Sequence, residues 1–191
     1  MQGLALVDFH NFLRRRSTAA EIELTLTEVV DHAVSTFRDI APDIEELDIR
    51  LYGGWLDESG LITPHAQTML PVLSILRGRR QGIVARPTLA TSMLTFPSIR
   101  LRGTLRLRAP RRRQKMVDQM MGYDTVFASE DTCVLSAIFT NDDDVVPALM
   151  ISRLKASGAT WWVRNPSDTP RPNDSVLLAL GLKIAFGEPN V

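Results

Sequence analysis

Two groups of oxygen-bearing side chains carry most of the chemistry legible in this sequence. Asp8 ends the apolar run Leu4-Ala5-Leu6-Val7, and Thr140-Asn141-Asp142-Asp143-Asp144 closes a second apolar run from Cys133 to Phe139. Three successive acids repel one another, and each ionised neighbour raises the cost of ionising the next. A helix beginning after Asp142 offsets that repulsion by only about half a unit charge. A divalent cation would supply the rest, and oxygen ligands without a histidine or cysteine cluster nearby favour Mg²⁺ or Mn²⁺ over zinc. The competing reading of the same acids is a helix cap with no ligand.

The elements that must position these acids can be read from periodicity. Gly3 to Phe9 has the continuous apolar character of a buried parallel strand. A helix follows, with Leu26, Val29, Val30, Ala33, Val34, Phe37 and Ile40 at helical spacing, a capping box expected from Thr25 and Glu28, and Pro42 beyond its end. The chain then predicts a strand over 47–52 closed by Gly53-Gly54, a helix over 64–76 and a strand over 82–85. Ser98 to Arg108 alternates apolar and basic residues about Gly103, which predicts a two-stranded ribbon with one cationic face. A helix over 113–128, a strand over 133–140, a helix over 143–157 capped by Gly158, a strand over 160–163 and a short helix over 176–180 complete the pattern. Pro147 falls in the first turn of its helix, where a missing amide hydrogen is tolerated. Strands alternating with helices imply right-handed crossovers and an α/β fold, a parallel sheet covered on both faces. In such a sheet, ligands sit beyond the carboxyl ends of the strands where the strand order reverses, so Asp8 and the 140–144 segment are expected to face one crevice.

The formal net charge of zero conceals a segregation. No Asp or Glu occurs from Leu61 to Val117, a stretch that holds 12 of the 22 cations and leaves all 22 acids elsewhere. That run suits a polyanion, with Arg100, Arg102, Arg106, Arg108, Arg111, Arg112 and Arg113 as the expected nucleic-acid contacts. The bland alternative is a sheet edge protected by charge. The 191 residues favour one domain, 1–191, and 45% hydrophobic content suffices for one sizeable core. The longest apolar runs fall well short of the ~18 residues that a spanning helix needs, so no membrane association is expected. The chain enters a strand pattern without a basic leader, which predicts a cytoplasmic location.

Other reactive residue types receive structural readings. Cys133 is expected to be a buried strand position, and His10, His32 and His65 to be packed or hydrogen-bonded rather than catalytic. Trp161 and Trp162 are adjacent on a strand and point to opposite faces, so one belongs to the core.

Three segments together resemble a known family. Leu6-Val7-Asp8-Phe9-His10-Asn11, Lys115-Met116-Val117-Asp118 with Asp124 six positions later, and Thr140-Asn141-Asp142-Asp143-Asp144 followed by Pro147-Ala148-Leu149 look like the motifs of NYN domains, in the PIN-like nuclease superfamily. In that family a first strand ends in Asp-x-x-Asn, a middle helix carries Lys-x-Val-Asp and a later Asp, and a strand ends in Ser-Gly-Asp-x-Asp before a helix. The resemblance spans residues 3–165 and implies a three-layer, Rossmann-like (PIN-like) parallel sheet flanked by helices. Here that core would carry an arginine-rich β-ribbon insertion at about 79–113. It places the catalytic, metal-binding acids on Asp8, Asp118, Asp142 and Asp144, with Mg²⁺ or Mn²⁺ as cofactor. Asn11, Lys115, Thr140, Asn141 and Asp143 become outer-shell or substrate residues. Asp124 joins them, because six residues along a helix lie about a third of a turn off the face of Asp118. The sequence departs from the pattern where Thr140-Asn141 replaces Ser-Gly, where Asp143 adds a charge, and where Val145 stands in an aromatic's place.

The implied activity is metal-dependent phosphodiester hydrolysis, with RNA favoured over DNA as substrate. The alternative of another class is a nucleic-acid-binding module of the same fold without catalysis, for which the basic run and the altered acidic motif speak. Homo-oligomerisation and a partner protein are left open by the sequence.

Overall fold

The computed structural model describes residues 1–11, 18–108, 111–114, 116–155, 160–164, 171 and 174–186, with the side chains of 106–108, 111–114, 155 and 186 excepted. In chain order the elements are β1 (Gln2–Asp8), α1 (Ala19–Ile40), β2 (Glu46–Tyr52), α2 (Pro64–Leu76), β3 (Gly78–Arg80), β4 (Ile83–Leu89), β5 (Leu105–Arg108), β6 (Arg111–Gln114) and α3 (Val117–Ala128). They continue with β7 (Val134–Phe139), α4 (Val146–Lys155), β8 (Thr160–Arg164), α5 (Asp174–Ala179) and β9 (Lys183–Phe186). Single 3-10 turns at Phe9–Asn11 and Asp143–Val145 follow β1 and precede α4.

The result is an α/β structure with a seven-stranded, mostly parallel sheet in the order β3-β4-β2-β1-β7-β8-β9. β3 pairs antiparallel with β4, while every other neighbouring pair is parallel. The chain builds outwards from β1 through β2 to β4, then returns to the other side of β1 with β7. The order therefore reverses between β1 and β7, which is where a crevice opens at the carboxyl ends of the strands.

Strand alternation sends successive β1 side chains to opposite faces. Ala5, Val7 and Phe9 enter one core with Val30, Val34 and Phe37 of α1 and Met69 of α2. Leu4 and Leu6 enter a second core with Met121 of α3, Leu149 of α4 and Trp162 of β8. The central position of β1 explains its continuous apolar sequence, since all its residues after Gln2 are buried.

Several boundaries differ from the sequence expectation. α1 begins about two turns earlier, capped by Thr18 and Glu21 in a reciprocal box. Thr25 lies inside the helix, its hydroxyl donating to the Glu21 carbonyl at 2.8 Å. Both Thr-x-x-Glu pairs match the motif, and the earlier start also buries Ile22. β4 runs on to Leu89 as a sheet strand between β3 and β2, so the cationic excursion from the sheet begins after that residue rather than at 79.

The ribbon does not turn at Gly103. β5 pairs with β6 in the register Leu105↔Gln114 to Arg108↔Arg111, with Ala109 and Pro110 outside the described residues. The backbone about Gly103 is already engaged: its amide donates to the Asp57 carbonyl at 2.7 Å, and the Leu105 amide to Leu56 at 3.0 Å. α3 consequently starts at Val117, after β6.

Cys133 is exposed, because β7 starts one residue later and Cys133 sits in a turn where its amide donates to the Asp131 carboxylate at 2.8 Å. β9, not expected from the sequence, extends the sheet beyond β8. Gly158 lies outside the described residues. Among the described residues, no helix is long and apolar enough to cross a membrane.

Candidate metal centre

The reversal point brings together side chains from β1, α3 and the segment after β7. Asp8 ends β1 and is only 5% exposed. Its Oδ1 accepts the His10 amide at 3.2 Å, and its Oδ2 accepts the Asn11 side-chain amide at 2.8 Å. The same Asn11 nitrogen donates to the Thr140 hydroxyl oxygen at 2.8 Å. Since Thr140 Oγ1 also accepts the Asp142 amide at 3.1 Å, its own proton is directed to Asp8 Oδ2, 3.4 Å away.

These donors all favour the ionised form of Asp8, yet its pKa is pushed up from 3.8 to about 6. Burial is the first cause, followed by the negative charges of Asp118 and Asp142. Asp118 is also raised, by burial first and then by Asp142 and Asp144. Asp118, Asp142 and Asp144 each present a carboxylate oxygen, and these oxygens lie within 4.8 Å of one another. Asp118 and Asp142 are half-buried and Asp144 is exposed, so the cluster opens to solvent on one side.

Local structure explains this aim. Asp142 caps the 3-10 turn, accepting the Asp144 amide at 3.1 Å, and the short turn presents both carboxylates on the same side. Asp118 occupies the first turn of α3, where the helix's positive end partly offsets its charge. Three of the four expected ligands thus converge directly, and Asp8 stands beside them, joined through Thr140.

The remaining expected residues divide. Asn11 and Thr140 organise Asp8 as described, and Asn141 is half-buried between Thr140 and Asp142. Asp143 turns outward to Arg171, whose Nη1 lies 2.6 Å from its Oδ1. Asp124 is fully buried and away from the cluster: its Oδ2 accepts the Tyr52 hydroxyl at 2.6 Å and its Oδ1 accepts the Leu94 amide at 2.8 Å. Arg100 and Arg102 are exposed in the segment between β4 and β5. Lys115 lies outside the described residues, as do the side chains of Arg106, Arg108, Arg111, Arg112 and Arg113.

No family model, no curated protein and no solved structure matches this chain.

The histidines have packing environments. His10 and His65 flank the buried Trp55 ring at 5.8 and 6.3 Å between centroids, and His32 meets the Phe139 ring edge-on at 5.5 Å. Burial and then the neighbouring His65 push the His10 pKa down to about 4. Trp162 is the core member of its pair, donating to the Thr140 carbonyl at 3.0 Å, while Trp161 is only partly buried beneath the Lys183 ammonium at 5.0 Å.

Sequence reasoning did not pick out Tyr52, Arg50 or Arg171. For Tyr52 a signal was available, since it ends an alternating strand immediately before Gly53-Gly54, at the same sheet edge as Asp8. Arg171 lies after β8, where no periodicity marks it.

Proposed function

We propose that this protein is a metal-dependent endoribonuclease with a three-layer, PIN-like fold of the NYN type, in which Asp118, Asp142 and Asp144, with Asp8 beside them, hold Mg²⁺ or Mn²⁺. The observation that carries this reading is the convergence of three carboxylate oxygens from two distant chain segments within 4.8 Å, next to a fourth acid whose pKa is raised to about 6 by burial first and then by the charges of Asp118 and Asp142. Such an arrangement is costly without a cation and favourable with one. The all-oxygen donor set fits a hard divalent ion.

A bound divalent ion would supply Lewis-acid activation of water and would neutralise charge developing on the phosphate. The chain's own residues do the rest. Asn11, Thr140 and the His10 amide fix the Asp8 carboxylate, so that its negative charge faces the crevice in one orientation. Arg100, Arg102 and the arginines of β5 and β6 hold backbone phosphates without reading sequence. One contact and the chain order support placing the ribbon at the same edge. The ribbon starts beside the carboxyl end of β2, because a Cβ built on Gly54 would lie 3.0 Å from the Leu105 Cβ. It ends at Gln114, shortly before Asp118.

The test is cleavage of a single-stranded RNA by highly purified protein with Mn²⁺, beside Asp8→Asn and Asp142→Asn variants. The expected result is cutting by the parent chain and none by the folded variants. Undiminished cutting by both would defeat the assignment. Steeply salt-dependent RNA binding without turnover in any divalent metal would replace it with the binding-module reading.

A further inference from the structure

Asp124 matches the position of a site acid in the resemblance, yet it is sealed inside the protein. Both of its oxygens are occupied by protein donors: Leu94 N–H at 2.8 Å on one, and Tyr52 O–H at 2.6 Å with Arg50 Nη2 at 3.4 Å on the other. Arg50 extends the set, its Nε reaching the Tyr52 hydroxyl at 3.3 Å and its Nη2 the Ser92 carbonyl at 2.5 Å. One carboxylate therefore ties α3 to the carboxyl end of β2 and to the segment that leaves β4.

The entrance of α3 gives a reason for such a tie. Met116, its N-cap, has a left-handed backbone (φ 64°) and makes no side-chain capping bond. That conformation is unfavourable for a residue with a Cβ. The turn that carries Asp118 thus has no side-chain cap, and it is held by the packing of Val117, Met120 and Met121 in the second core together with contacts farther along the helix. Two such contacts are Asp124, and Gly122, where an added Cβ would stand 3.2 Å from that of Ala148 in α4. Tyr52 is also the register partner of Asp8, so the clamp on α3 is referenced to the strand end beside the Asp8 carboxylate.

We infer that Asp124 is a positioning residue, which through Tyr52 and Arg50 fixes α3 so that Asp118 meets Asp142 and Asp144, and is not itself a cation ligand. The inference rests on the cation-site reading above. It also links the arginine-bearing segment after β4 to the carboxylates, since Ser92 and Leu94 are held by the same clamp.

The test is Mn²⁺ binding to the full chain, read from the loss of the free-ion EPR signal well below the melting temperature. Parent, Asp124→Asn, Tyr52→Phe and Asp142→Asn proteins are compared. For Asp124→Asn, folded by near-UV circular dichroism, the expected result is about ten-fold weaker binding, the lower end of what loss of a supporting residue costs. Tyr52→Phe, which keeps the ring and removes one donor, should weaken binding severalfold. A purely structural role would lower the melting temperature and leave the affinity of the folded protein unchanged, which would overturn the inference. Should Asp124→Asn fail to fold, Tyr52→Phe decides: parent-like binding overturns the proposal and weakened binding supports it. If the parent binds no more Mn²⁺ than Asp142→Asn, the cation site itself is wrong and this inference falls with it.

Discussion

Asp8 and Thr140 are 132 positions apart in sequence, and the Thr140 hydroxyl reaches the Asp8 carboxylate at 3.4 Å while its oxygen accepts the Asp142 amide. This single threonine joins the end of β1 to the acidic turn after β7 across the point where the sheet order reverses.

The stability of the cation-free protein should depend on pH through Asp8. Its folded pKa of about 6 exceeds the ordinary 3.8, so the folded state binds the extra proton. The stabilising contribution is fully present below about pH 4 and is lost as pH rises through 6. A shift of this size corresponds to about 3 kcal/mol. Asp8→Asn should therefore unfold at higher urea concentration than the parent at pH 7.5 in EDTA, with the gain shrinking towards pH 4. Equal destabilisation at both pH values would show that burial and the neighbouring acids do not raise the Asp8 pKa.

Cation binding should raise the melting temperature. An ion that binds only the folded state stabilises it by about 2.7 kcal/mol at a hundred times its dissociation constant. The parent should gain in millimolar Mn²⁺, and Asp142→Asn or Asp144→Asn should gain little. Asp143→Asn should respond like the parent, because Asp143 faces Arg171 and not the cluster. Differential scanning fluorimetry with and without the metal distinguishes these outcomes.

Gly122 lies where α3 and α4 approach, with 3.2 Å between its hypothetical Cβ and that of Ala148. Gly122→Val should wedge the helices apart and cost about 1–3 kcal/mol, the usual range for overpacking. Because Asp118 is on one helix and Asp142 and Asp144 precede the other, the Mn²⁺-induced stabilisation should fall as well. A loss of stability with the full metal response retained would separate helix packing from carboxylate geometry.

Arg100 and Arg102 are exposed, so their replacement should leave stability within about 0.5 kcal/mol. If they hold phosphates, Arg100→Gln with Arg102→Gln should weaken binding to single-stranded RNA of any sequence. The slope of log affinity against log salt should drop by about 1.4, the value for two phosphate contacts on a single strand. Fluorescence anisotropy across a salt series measures this, and an unchanged slope would remove both residues from the interface.

Parts of the cationic run are committed elsewhere, which the sequence could not reveal. Arg80 pairs with Asp31 of α1 at 2.6 Å, and Arg86 pairs with Glu46 of β2 at 2.6 Å. The acid-free stretch is thus partly neutralised by acids brought to it by the fold. Arg100 and Arg102, by contrast, are exposed between β4 and β5.

What the sequence by itself determined was local and periodic. The apolar run into Asp8, the helix over Pro64–Leu76 and the strand that delivers Asp142 each follow from a repeat of two or 3.6 residues and a punctuating Pro, Gly or Asp. Alternating strands and helices were enough to imply the parallel sheet and the edge at which its acids gather. Tertiary structure decided which oxygens those acids could offer. The sequence already sets Asp124 and Asp143 apart from Asp118 and Asp142 as outer-shell residues, and the fold supplies their partners: one is consumed by Tyr52, Leu94 and Arg50 and the other by Arg171. The ribbon's register was likewise set by Leu56 and Asp57, which occupy the backbone groups about Gly103 from nearly fifty positions away. Periodicity fixes which way a residue faces along its own element, whereas the donor it meets belongs to another part of the chain.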